Sequence, residues 1–206
     1  MTRNKALIIG AKVLSSIFTP FYLPLVGIIL LFTVSYMNKV NIQFKLLVLS
    51  IVYLFTVLLP TFLIWLYRNQ RGWTPLQLAH RHRQLVAYTI SIMCYIACIW
   101  LMNALHIYHF IVIIVVAALI IQAVGVIVTV WWKISIHTAA IGGLAGALMA
   151  FAELFRFNPA WWLCLVFLFS GLLGSARMIL RQHTLAQVVT GFFLGLGCAF
   201  FTILYL

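Results

Sequence analysis

The chain has 206 residues, 66% of them hydrophobic and 7% charged, and a net charge of +12 set by thirteen Lys and Arg against one acid, Glu153. A mean hydropathy of +1.19 excludes a water-soluble globular domain of this size. One carboxylate excludes magnesium-dependent phosphotransfer, cation transport and proton relays, which draw on several, and basic residues grouped between apolar runs suit anionic headgroups or a phosphate ligand, not nucleic acid.

Long runs of Leu, Ile, Val and Phe without polar alternation predict helices and not a barrel, whose lumen-facing positions would be polar. The expected fold is an all-α integral membrane protein, a single domain of about six to seven transmembrane helices over 1–206. A multi-pass location follows, expected in a bacterial inner membrane. Residues 1–20 carry Arg3, Lys5 and Lys12 among apolar positions, then Pro20. They outline a signal peptide but lack a small-residue cleavage site, so they are expected to stay as an interfacial helix.

A first span is placed at 21–37 and a second at 45–67, the latter containing Pro60 and ending at Trp65 and Tyr67, suitable interface anchors. The polar stretch 68–84 follows, ending in the basic run His80-Arg81-His82-Arg83-Gln84. Spans at 85–105 and 109–132 are joined by His106 to His109, which read as loop residues and not as metal ligands because no third ligand accompanies them. Cys94 and Cys98 fall inside a span and read as packing residues.

The last three spans, at 137–154, 160–176 and 184–205, carry Gly142, Gly143, Gly146, Gly171, Gly174, Gly191 and Gly195. Small residues at helical spacing let backbones approach, so these spans are expected to form the tight core of the bundle. Glu153 and Arg156, one helical turn apart, read as a structural pair.

Two polar clusters bracket this region: Lys133-Ile-Ser135-Ile-His137, and Arg177, Arg181, His183 and Gln187. About forty apolar residues between them suffice for two crossings of a core about 30 Å thick, so both clusters return to one membrane face. That face holds ten of the Lys and Arg against three on the other, and five of the ten are candidate ligands, which leaves sidedness open. Ser135 can cap the helix that follows, whose N-terminal dipole favours an anion. Lys133, Arg177 and Arg181 add charged donors, while of two histidines one can attack phosphorus and the other protonate the leaving oxygen.

Those motifs resemble the type-2 phosphatidate phosphatases, or lipid phosphate phosphatases. The family's Pro-Ser-Gly-His is similar to Ile134-Ser135-Ile136-His137, and its Ser-Arg, five residues, His, three residues, Asp is similar to Ala176-Arg177 through His183 to Gln187. The two histidines are 46 positions apart, and the likeness covers about 80–205. It implies a phosphatase with no metal or other cofactor, acting among membrane lipids on a lipid phosphate such as a polyprenyl pyrophosphate, phosphatidic acid, phosphatidylglycerol phosphate or a lipid A phosphate. By that resemblance His183 is the nucleophile, His137 the general acid, and Ser135, Arg177 and Lys133 the phosphate ligands. The family's first motif, Lys, six residues, Arg-Pro, survives only as the basic run, where Arg81 or Arg83 would serve. Gln187 stands where the family has the aspartate that orients the nucleophile; its carbonyl can accept an imidazole N–H but cannot neutralise an imidazolium. A degenerate member that binds a lipid phosphate without cleaving it is the alternative. An ion or solute transporter fits poorly, since Gln122 is the one strongly polar residue deep in a span.

Overall fold

The computed structural model describes residues 2–17, 19–34, 36–71 and 81–206, and these are helical with short connections. In order they form α1 (Thr2–Ile17), α2 (Leu23–Val34), a 3₁₀ turn (Tyr36–Lys39), α3 (Ile42–Tyr53), a π segment (Leu54–Leu58) and α4 (Leu59–Arg71). Then follow α5 (Arg81–Ala104), α6 (His109–Trp131), α7 (Ile136–Phe155), α8 (Ala160–Ile179) and α9 (Leu185–Tyr205). Six stretches are long and apolar enough to cross a membrane: 42–70, 86–104, 109–131, 136–155, 160–179 and 185–205. The chain is therefore a multi-pass membrane protein built as an all-α bundle.

The expected crossing at 21–37 is different. Residues 20–22 form a turn, α2 is only 12 residues long, and the chain tightens into the 3₁₀ turn before Lys39. At 1.5 Å per residue such a helix spans about 18 Å, too little for a hydrocarbon core of about 30 Å. Beyond it, the Lys45 ammonium donates to the Asn38 carbonyl at 2.7 Å and ties the turn to α3.

The second crossing is one rod, α3 through α4, with a π segment in its middle whose cause is Pro60. A proline inside a helix lacks the N–H and presses on the carbonyl four residues back. The rod absorbs this by a wider turn, in which Leu59 N–H donates to the Leu54 carbonyl, five residues back. Thr61 Oγ1 sits at 2.6 Å from the Val57 carbonyl and 2.9 Å from that of Leu58, so carbonyls near the break gain a donor without water.

The core is centred on α7, which is buried along nearly its whole length and packs most closely on α9. Glycine makes that approach possible. A Cβ on Gly195 would overlap the Ala139 carbonyl, one on Gly142 the Phe192 carbonyl, and one on Gly146 the Leu196 carbonyl. The expected tight packing thus holds for α7 and α9, and for α8 only at buried Gly174, where a Cβ would stand 2.9 Å from Val188 Cγ1. The small residues of α8, Ser170, Gly171 and Gly174, line a groove of about 320 Å³ facing Val188 and Phe192 of α9, and a Cβ on Gly171 would meet nothing within 4 Å. Glu153 and Arg156 lie 3.6 Å apart, both well exposed at the far end of α7, where such a pair contributes little. Cys94 and Cys98 are buried free thiols, in keeping with a packing role.

Candidate functional site

The two polar clusters lie at one end of α7 and α9. Ser135 takes the N-cap position of α7, with His137 in the first turn, and its N–H donates to the Gln187 carbonyl at 3.2 Å. That bond joins the clusters directly. Gly191, one turn on, leaves room for it: a Cβ there would stand 2.7 Å from the Ser135 carbonyl oxygen and 2.8 Å from Thr138 Oγ1. Ser135 does not cap with its side chain. Its carbonyl accepts from Ala139 N–H at 3.0 Å and Thr138 Oγ1 at 2.8 Å, while its Oγ is buried with no hydrogen-bond partner. The residue is 0% exposed.

Arg177 lies in the last turn of α8. Its Nη1 donates to Ser15 Oγ of α1 at 2.9 Å, and its Nε is buried without a partner. The helix then ends in a Schellman turn: Arg181 N–H donates to the Met178 carbonyl at 2.9 Å and Gln182 N–H to the Arg177 carbonyl at 3.2 Å. The left-handed position of that turn, ordinarily glycine, is Arg181 itself, with φ 53°. A side chain there costs on the order of 1 kcal/mol. The turn delivers His183 immediately before α9.

His183 Nδ1 is the third buried polar atom in this region with no partner. Burial, then the charges of Arg177 and Lys133, push its pKa down from 6.5 to about 4, and the nearby Gln187 side chain pulls weakly upward. The imidazole is therefore neutral at pH 7. Gln187 does not make a well-formed bond to it. Its Oε1 accepts from Thr184 N–H at 3.2 Å, and its own N–H donates to Thr184 Oγ1 at 3.4 Å, a reciprocal capping box that starts α9. The capping signature Thr-x-x-Gln, 184 to 187, was legible in the sequence beside the family spacing. Replacing Thr184 by Ala is expected to lower stability by about 1 kcal/mol, measured by thermal unfolding in detergent, because the hydroxyl that accepts from Gln187 N–H is lost while the backbone N–H bonded to Gln187 Oε1 stays.

Ser135, His137, Lys133, Arg177 and His183 are thus brought together: Arg177 and His183 act electrostatically on His137, and Lys133 on His183. Lys133 and Arg181 are exposed at the rim. Arg81 and Arg83 fall in the first turn of α5, and their side chains lie outside the described residues, as does the polar stretch 72–80. Two site residues went unseen in the sequence. Ser15 reaches Arg177 from α1, and Tyr88 of α5 is near enough for its phenol to couple with the guanidinium. Neither belongs to a motif; each meets Arg177 only through tertiary packing.

No family model, curated protein or solved structure matches the chain.

Proposed function

We propose that the chain is a membrane lipid phosphatase that hydrolyses a lipid phosphomonoester or a polyprenyl pyrophosphate through a phosphohistidine. One observation carries this reading. Ser135 Oγ, Arg177 Nε and His183 Nδ1 are all buried and without partners in one region that is otherwise apolar and cationic. Such groups are costly unless a ligand completes them, and an oxyanion fits the two donors, the Lys133 ammonium and the free N–H groups of the first turn of α7. A metal-independent route suits the residues, because Glu153 stands about 25 Å away along α7. The excess of basic charge suits an anionic bilayer such as a bacterial inner membrane.

In this mechanism neutral His183 attacks phosphorus while His137, reacting in its imidazolium form, donates its proton to the departing lipid oxygen. His137, now a base, takes a proton from water, whose oxygen displaces His183 from phosphorus and releases inorganic phosphate. The lipid's hydrocarbon chains lie in the groove between α8 and α9, which runs from Met178 and Leu185 at the site towards Ser170 and Phe193.

The test is phosphate release by purified protein from a panel of lipid phosphates with EDTA present, beside the His183→Ala variant. Release that survives EDTA and is lost in the variant supports the reading, and no release from any lipid overturns it. One feature favours the second reading, a site that holds a lipid phosphate without cleaving it: the Gln187 side-chain carbonyl is shared with the Thr184 N–H, and no bond of good geometry reaches His183 Nδ1. Gln187→Asp separates the two. Activity appearing from none marks a binding protein, whereas an active parent dismisses that reading, and its turnover is then expected to rise at least about tenfold with the aspartate.

A further inference from the structure

α1 brings a third element to the two polar clusters. It packs chiefly on α8, through a face on which Ala11 and Ser15, one turn apart, are 6% and 8% exposed, whereas Ile8, Ile9, Lys12 and Val13 are exposed. Side chains this small let two helices approach closely. A hydroxyl as short as that of Ser15 thereby reaches Arg177, whose Nη1 donates to it at 2.9 Å.

The bond falls on one particular side of the guanidinium. Nη1 lies on the side of Cδ, and the opposite edge is formed by Nε with Nη2, whose parallel N–H groups match two oxygens of one phosphate. Nε of that edge is buried without a partner. Ser15 therefore engages the arginine without occupying the edge suited to an oxyanion. It also leaves the charge intact. A hydroxyl orients a guanidinium but does not neutralise it, and Glu153, the one acidic side chain in the sequence, lies at the far end of α7. An untethered arginine samples many rotamers, and losing them on binding weakens affinity. A guanidinium already held at Nη1 has fewer to lose.

We propose that Ser15 is a positioning residue, which holds the Arg177 guanidinium with its Nε edge open to a phosphate, so that α1 sets the affinity of the site for that anion. This rests on reading the region as a phosphate site, and not on turnover.

The experiment uses the full chain in dodecyl maltoside, a detergent without phosphate, titrated with inorganic phosphate. Affinity is read from the rise of the unfolding temperature with phosphate concentration. Ser15→Ala is expected to weaken phosphate binding about tenfold, and Ser15→Thr, which keeps the hydroxyl, to stay within about threefold of the parent. Ser15→Asp pairs a carboxylate with Arg177, so affinity is expected to fall at least as far as with alanine while the unfolding temperature without phosphate holds or rises. It serves if the alanine variant does not fold. A residue needed for packing alone would move the unfolding temperature and leave the affinity where it was. Affinity unchanged by the alanine or aspartate variant, or lost equally with threonine, overturns the proposal alone; a parent that binds no phosphate overturns it together with the phosphate site. The expected series in a protein that hydrolyses no lipid phosphate supports the positioning role and sinks only the phosphatase reading.

Discussion

Replacing His183 by alanine is expected to lower lipid-phosphate release by about a thousandfold or more, down to what binding and electrostatics alone sustain. Among the described residues no other histidine takes its place: His137 sits in the first turn of α7, and His106 and His109 lie at the opposite end of α6. The pH profile adds an independent readout. Attack needs the neutral imidazole, and with a pKa near 4 instead of 6.5 that form persists well below neutrality. The acid limb of kcat/KM due to His183 is therefore expected near pH 4; a limb near 6.5 would place the histidine in water. Replacing Lys133 by methionine removes one of the charges responsible and is expected to move that limb upward. Stability follows with the same sign. The folded state binds the proton less tightly than the unfolded chain, so the contribution of His183 is complete above pH 6.5 and is lost as pH falls from there through 4.

Gly195→Ala is expected to be the most damaging single methyl in the bundle. Its Cβ would fall on the Ala139 carbonyl, a backbone atom of a helix packed on several sides, so α7 and α9 must separate. Overpacking of this kind costs about 1–3 kcal/mol, and in a membrane the close backbone contact that is lost is itself a source of helix association. The opening would also stretch the Ser135 to Gln187 bond four residues before Ala139, so phosphate release should fall together with the unfolding temperature. Gly197→Ala, two positions on, is the control, since a Cβ there meets nothing within 4 Å. Equal loss in both variants would show that the α7 contact does not govern this stretch, since alanine raises helix propensity at either position.

Most of the crossings were legible because composition alone marks hydrocarbon runs and interfacial Trp and Tyr mark their ends. The contact of α7 with α9 was legible from glycine spacing, since small residues leave a stripe that only another backbone fills. The same reasoning overreached for part of α8: Gly174 packs on Val188 of α9, but Gly171 carries the same signature and faces open space, and spacing cannot say whether a small face is covered. The stretch 21–37 misled because an apolar run states what a segment tolerates and not how far its helix continues. At the candidate site, the joining of Ser135, His137, Arg177 and His183 follows from two helices returning to one face. Gln187 satisfies two patterns at once, a family position and a capping box: the Thr184 N–H bonds its side-chain carbonyl, while the same side chain still interacts with His183. Ser15 and Tyr88 could not be found by pattern, as nothing local marks a contact made across the bundle.

The bond from Ser15 to Arg177 joins residues 162 positions apart. At about 5–20 residues per second, ribosomal synthesis supplies the arginine roughly 10–30 s after the serine. Through that interval α1 has no α8 to rest on. α1, made well before α8, is thus among the last elements to find its seat, and closing the site becomes a late event in biogenesis that depends on how α1 is held while the rest of the bundle inserts.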